Sequence, residues 1–393
     1  MAEETIDFFR AQPYADWDDA RRSECPVIVN TESGWDARTT YQITTYKDAE
    51  HVLRDGETFS STINAQHIGQ FMGDLILALD GAEHRQYRNL VAKAFRASQL
   101  ERWDDTLVRP TINRLLDAIA PAGRADLVAS VTSQYPVEVI CGIVGVPLAD
   151  APQFHQWAEQ INTGPLNPET GHAASQAMVD YLRPLVEARR AQSTSDFLSD
   201  LVHAEIDGEQ LTDSKLYGFL RLLLPAGAET TFRAMGNCLL ALLTHPDALA
   251  AVHADRGLIP DVIEETLRWE TSVTMVSRVA AVDTEVAGCP IPAGSPVGVL
   301  TGSANRDEDR WDDAGAWRLG RAAQHHLAFG TGQHQCLGMH LARLELRVGL
   351  DTILDRLPNL RLDPDADPEQ VVIEGYAFRG PRALPVVFDA TPT

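Results

Sequence analysis

The stretch His325–Gly338, "HHLAFGTGQHQCLG", decides how this chain is read. It sets one cysteine, Cys336, among three glycines, with His334 two residues upstream and a strongly helical segment directly after. Three chemistries use such residues. A nucleophilic thiol would take His334 or His340 as its base. A zinc site would draw on His325, His326, His334, Cys336 and His340. The axial ligand of a haem would need the thiolate alone. The flanks argue against the commonest fate of a free cysteine, which is to be a small buried hydrophobe. Gly330, Gly332 and Gly338 imply backbone that turns tightly and approaches something closely. The following helix carries Leu337, Leu341, Leu344, Val348 and Leu354 as a core-facing stripe. A sulfur at its N-terminus meets unpaired N–H groups and the positive end of the dipole, which favours a thiolate and moderates its donor strength. A zinc site gains nothing from three glycines.

Phe329 to Gly338, "FGTGQHQCLG", resembles the haem-ligand loop of the cytochrome P450 family, F-x-x-G-x-x-x-C-x-G, with Phe329, Gly332, Cys336 and Gly338 in register. The resemblance implies that Cys336 ligates the iron of haem b (iron protoporphyrin IX), with Phe329, Gly330 and Gly338 against the cofactor. His325, His326 and His340 then drop out as metal ligands.

Outward from the loop, "LLLPAGAETT" (Leu222–Thr231) lies inside a helical pattern from about Asp213 to Thr244, roughly 48 Å long at 1.5 Å per residue. Pro225 and Gly227 in its interior cost about 3 and 1 kcal/mol, and they suggest a helix opened locally around a small ligand. The stretch is similar to the family's oxygen-binding helix, with Ala226, Gly227, Glu229 and Thr230 in register, which implies that Ala226 and Gly227 lie against the haem. Glu229 and Thr230 are thereby implied to relay protons and to stabilise bound oxygen. Thr231 is adjacent, and only the family register selects Thr230.

"EETLRW" puts Glu265 and Arg268 on one helical face, 71 residues ahead of Cys336. It matches the family's E-x-x-R pair, implied to be structural, with Arg318 or Arg321 as its third member. Haem propionates need cationic or hydrogen-bonding partners when buried. His84, Arg88, Arg278 and His334 fall where the family places them. The resemblance spans roughly residues 45 to 388.

The whole chain agrees. It has 393 residues, 44% apolar and 23% charged, a globular composition. A net charge of −23 argues against nucleic-acid binding. No apolar run approaches the ~20 residues that span a bilayer, and the acidic N-terminus lacks the apolar core of a signal peptide. Five scattered cysteines (Cys25, Cys141, Cys238, Cys289, Cys336) suit reduced thiols in a cytoplasmic protein. Most of the chain has helical period, with strand-like pieces at 26–46 around Gly34, at 272–301 and in the C-terminal ~25 residues. The expected fold is mainly α with a minor β portion, one domain over 1–393, with haem between the long central helix and the helix after Cys336. The N-terminal ~20 residues are expected to be peripheral, the "DPDADPEQ" segment a loop, and the protein a monomer.

The resemblance implies a soluble, bacterial, stand-alone monooxygenase that places one atom of O2 in a hydrophobic small molecule. A peroxide-driven peroxygenase and a non-catalytic haem sensor are the alternatives. No G-x-G-x-x-G follows a strand, so electrons are expected from outside the chain, with an iron–sulfur ferredoxin and its NAD(P)H-dependent reductase as the expected source. Arg343 and Arg347, one turn apart, suggest a basic docking patch for it. By register the pocket draws on 63–79, 161–180 and Val273–Val276, with Met72, Leu75, Ile76, Val273, Met275, Tyr376 and Phe378 as lining. The loop 162–171, with two prolines and two glycines, reads as a mobile lid.

Overall fold

A computed structural model describes residues 11–31, 38–92, 95, 97–194, 196–206 and 208–391. The expected helix from Asp213 to Thr244 is present, and it organises the molecule. Thr212 caps it, its side chain accepting from the Lys215 N–H, which satisfies one of the N–H groups a helix start leaves unpaired. Both faces are apolar, so the helix is buried through most of its length. It packs on helices Tyr135–Val144, Ala151–Asn162, Ile259–Trp269 and Met339–Arg356. Leu224, Met235, Cys238 and Leu239 sit at the heart of the larger apolar core.

The minor β portion is as expected in place. Strands β1 (Val27–Asn30), β2 (Thr40–Ile43), β3 (Phe59–Ser60), β4 (Val276–Ala280) and β5 (Pro296–Val299) form one sheet in the order β1-β2-β5-β4-β3. β1 and β2 are antiparallel, Val27 opposite Ile43, and β5 joins β2 in parallel, Val297 opposite Tyr41. The turn expected at Gly34 lies outside the described residues. A second core, including Ile43, Leu53, Phe59, Val297 and Trp311, includes residues of this sheet. The C-terminal strand Pro385–Val387 pairs with Arg361–Leu362 and Arg124–Asp126.

Three expectations are corrected. The N-terminal segment is less peripheral than its position suggests: Trp17 is 1% exposed, and Arg21 donates to the Ser303 hydroxyl at 2.8 Å. Cys25 and Cys289 form a disulfide across 264 residues, their Cα atoms 6.0 Å apart, so only Cys141, Cys238 and Cys336 are free. The loop 162–171 is not a long lid, because helix Pro168–Ala191 begins inside it, capped by Asn167. Cβ atoms on Gly164 and Gly171 would both meet the Phe71 ring, at 3.1 and 3.0 Å. These glycines dock the connection instead of freeing it. No single helix among the described residues is long and apolar enough to cross a membrane.

Candidate active site

The Cys336 loop is closed by its own backbone. The Cys336 N–H donates to the Phe329 carbonyl at 2.8 Å, and the Gly330 N–H to that of Leu327 at 2.9 Å. Gly330 and Gly332 have φ of 62° and 73°, in the left-handed region that glycine tolerates. A Cβ on Gly332 would also come within 2.5 Å of the Leu53 carbonyl oxygen. Gly338 differs: its φ is negative, and a Cβ there, as at Gly330, would meet no protein atom within 4 Å. Neither the fold nor the protein's own packing requires glycine at 338, which fits a face kept clear for a flat ligand.

Helix Met339–Arg356 starts at Gly338 without a side-chain cap, and the Gly338 N–H donates to the Cys336 sulfur. The side chain is accessible to solvent yet crowded by protein. Burial raises the thiol above its usual pKa, against the pull of the Gly338 N–H and the charges of Arg88 and Arg343. The helix start therefore favours the thiolate without prevailing by itself. His325 is occupied by the Tyr46 hydroxyl at 3.1 Å, and His326 by Glu264 at 3.1 Å. Among the described residues no three His, Cys, Asp or Glu side chains converge as a metal cage requires.

The four expected anion partners gather beside the loop. His84 and His334 lie ring to ring, centroids 4.1 Å apart. Arg88 donates to the Gln335 carbonyl. Arg278, 6% exposed, bonds only the neighbouring Ser277 carbonyl among the described residues. Burial, then the charges of His334 and Arg88, lowers the His84 pKa to about 4, and its Nδ1 is buried without a partner among the described residues. Crowded cations and an orphaned ring nitrogen are costly unless an anion completes them. The arrangement fits the carboxylates of a haem.

One acid in this cluster escaped the sequence reading. Asp80 accepts from the Ser60 hydroxyl at 2.7 Å, the Ser61 N–H at 2.9 Å and the Gln333 amide at 2.9 Å, with His334 at 3.4 Å. Burial raises its pKa, but the bonds from His334, Ser60 and Ser61 outweigh it and bring it to about 2. A depressed carboxylate stabilises the fold above its unfolded pKa of about 4, and that stability is lost as pH falls toward 2. Asp80→Asn is expected to remove roughly 2 kcal/mol of this pH dependence. Urea midpoints compared at about pH 5 and about pH 3, an interval that holds about half of the effect, test it; parallel shifts in wild type and variant would refute it.

On the central helix, Ala226 is exposed and Thr230 half-buried, whereas Thr231 is 4% exposed. Thr230 is thus the hydroxyl on the Ala226 side. The expected local opening is absent: helix runs through Pro225, and the Thr230 hydroxyl donates to the Ala226 carbonyl at 3.0 Å. Such back-bonding satisfies the carbonyl from within the helix. Gly227 turns its Cβ direction toward a neighbouring helix. A Cβ there would meet Ile140 at 3.0 Å, so this glycine serves helix packing. Glu229 is 9% exposed and accepts from Arg233 Nε at 2.8 Å, one turn on. Arg233 was missed although its spacing from Glu229 was a usable signal.

Glu265 and Arg268 form a buried two-bond pair, both at 2.8 Å. Arg321 completes it, Nε to Glu265 at 3.0 Å, while Arg318 contributes only its backbone N–H at 2.9 Å. The basic patch expected at Arg343 and Arg347 is neutralised. Arg343 pairs with Glu264 at 2.7 Å, and Arg347 lies 3.7 Å from Asp104. Of the expected pocket residues, Met72 and Leu75 are buried, and Ile76 packs on the larger core. Val273 and Phe378 meet in a β-bridge. Met275 lies over Gly298, and Tyr376 turns to Gln42 at 3.3 Å and to the Trp17 ring. The tyrosine ring is therefore committed to the sheet and the N-terminal helix.

Comparison with known proteins agrees with this geometry. The family model "Cytochrome P450" matches residues 152–378. Cytochrome P450 107B1 of Saccharopolyspora erythraea is 36% identical, over 93% of each chain. Cytochrome P450 monooxygenase PikC of Streptomyces venezuelae is 34% identical, over 96% of this chain and 91% of that one. The solved structure of the Bacillus subtilis bacillaene synthase P450, PksS, superposes with a TM-score of 0.88 at 31% identity, covering 96% and 97% of the two chains. The chain belongs to the cytochrome P450 family. It is a bacterial haem-iron monooxygenase acting on a small molecule with O2 and electrons supplied by redox partners.

Proposed function

We propose that this protein is a haem b monooxygenase that hydroxylates, or similarly oxidises, a hydrophobic small molecule with electrons from a separate iron–sulfur ferredoxin and NAD(P)H-dependent reductase, working as a cytoplasmic monomer. The observation that carries the reading is the Cys336 loop placed beside a cluster of His84, Arg88, Arg278 and His334, in which the Asp80 carboxylate faces two guanidinium groups. In this reading Cys336 would supply the thiolate ligand, and Arg88 and Arg278 as cations, with His84 and His334 as hydrogen-bond partners, would hold the propionates. The bound haem supplies the redox chemistry of oxygen insertion.

The chain supplies position, protons and dryness. Glu229, buried and held by Arg233, keeps a carboxylate one residue from Thr230. The Thr230 hydroxyl releases the Ala226 carbonyl when it donates elsewhere, so it can pass a proton without moving the backbone. Curated relatives are named for mycinamicin IV hydroxylation and epoxidation, for pentalenic acid synthesis and for steroid C26 oxidation. That breadth supports an apolar chamber of the family kind and leaves the substrate to be read from this chain's own residues.

Thr230→Ala and Glu229→Gln should lower oxygen-supported product formation by about a hundredfold, the scale of a lost proton donor, and leave substrate binding intact. Peroxide-supported turnover should fall much less. Assays with oxygen plus a ferredoxin chain, and with peroxide alone, separate the alternatives. Full activity of the wild type on peroxide, with none from the oxygen chain, would establish a peroxygenase instead.

A further inference from the structure

Arg221 is a cation without a counter-ion at the meeting point of three segments. It stands on the central helix one turn before Pro225. Its Nε donates to its own helix at the Tyr217 carbonyl, 3.2 Å away. Its Nη1 donates to the Ser175 hydroxyl at 3.1 Å, and that hydroxyl donates to the Phe71 carbonyl. Its Nη2 lies against Gly73, where a Cβ would collide with it. Gly73 has a φ of 82°, so both backbone and space require glycine there. The guanidinium is therefore seated by helix Pro168–Ala191, by the 71–74 turn and by the central helix. Ser175 on the first and the 71–74 turn lie within the stretches assigned above to the substrate chamber.

Of the five N–H donors of a guanidinium, the Nε hydrogen and one on Nη1 are used, and all their acceptors are uncharged. Nη2 and the second Nη1 hydrogen make no hydrogen bond among the described residues and form the open edge of the fork. Arg221 makes no ion pair among the described residues. Asp74 is the acid near enough to be felt, and it is engaged by the Ser214 hydroxyl at 2.6 Å. Burial works against the charge and Asp74 only partly offsets it. An aliphatic or hydroxyl side chain would fill this position without that cost. Met72 and Leu75, immediately beside the Gly73 turn, are apolar.

We propose that Arg221 is a specificity-determining residue that binds a carboxylate on an otherwise hydrophobic substrate. The free edge matches the planar, two-oxygen geometry of a carboxylate, and one guanidinium balances one such charge. The inference rests on the monooxygenase reading for its meaning, but binding can be measured independently of turnover.

The probes are hydrophobic carboxylic acids of about ten to sixteen carbons, each compared with its methyl ester. Binding to the haem-loaded protein is followed by titration calorimetry and by the substrate-induced Soret shift. The acid should bind at least tenfold more tightly than its ester. Arg221→Met, which keeps length and removes charge, should abolish the preference, and Arg221→Lys should retain part of it. Ser175→Ala should weaken it by a smaller factor. Equal affinity of acid and ester in the wild type, no binding of any acid, or a preference that survives Arg221→Met would each overturn the assignment. A normal red-shifted band of the reduced carbon monoxide complex in the same preparations leaves the monooxygenase reading standing in every case. Loss of that band in the wild type would instead count against the haem-thiolate site.

Discussion

Cys336→Ser should lower oxygen-supported turnover by about a thousandfold, roughly 4 kcal/mol of barrier, and should abolish the red-shifted Soret band of the reduced carbon monoxide complex. The substitution exchanges one soft donor atom for a hard one and little else. The loop does not depend on the side chain: its closure at Phe329 uses the Cys336 N–H, and its turns belong to Gly330 and Gly332. Haem should still be bound, because the proposed propionate partners His84, Arg88, Arg278 and His334 are untouched. A full haem complement with a displaced band is the expected pair of observations. An unchanged band in Cys336→Ser would rule out this sulfur as the ligand. Failure to bind haem at all would show that the sulfur, not the cation cluster, dominates retention; haem content of His84→Ala and Arg278→Ala then measures what the cluster contributes.

The parts of this site that were legible in the sequence are those in which one short segment carries its own geometry. The 329–338 loop is of that kind, since its turns, closing bond and helix start all lie within a dozen residues. So is the helical pairing of Glu265 with Arg268. What escaped depends on distant segments. Nothing local to Arg343 or Arg347 announces Glu264 and Asp104 as partners, and the expected basic patch vanished when those acids arrived. Cys25 and Cys289 meet across 264 residues of sequence, with Cys289 on a short strand paired to Thr284–Val286. Gly227 resembled a residue kept small for a cofactor, yet the atom it makes room for is on Ile140. In each case the residue type was informative and its partner was not, because tertiary neighbours are set by packing of whole elements.

The choice between Arg318 and Arg321 belongs to the same class, and its resolution carries the second large effect. Glu265 receives Arg268 and Arg321 side chains and the Arg318 N–H, all on one carboxylate whose side chain is 4% exposed. Glu265→Gln leaves two largely buried guanidinium groups without their charge partner and should destabilise the protein by about 3–5 kcal/mol. Arg268→Ala should cost about as much, since it also orphans the carbonyls of Asn305 and Ala314, bonded at 3.0 and 2.6 Å, and takes one of two donors from that of Ala316. Arg321→Ala should cost about 1–2 kcal/mol, because Arg268 remains to neutralise Glu265. The effect should reach the cysteine loop through Asn305: Arg268 holds its carbonyl, and its side chain accepts the Leu327 N–H at 2.6 Å, two residues before Phe329. Loosening the network should therefore release haem at lower denaturant than it unfolds the helices. Urea titrations followed in parallel by Soret absorbance and far-ultraviolet circular dichroism test this. Coincident transitions in Arg268→Ala, or an Arg321→Ala variant as unstable as Arg268→Ala, would show that the network is a local staple with no hold on the loop.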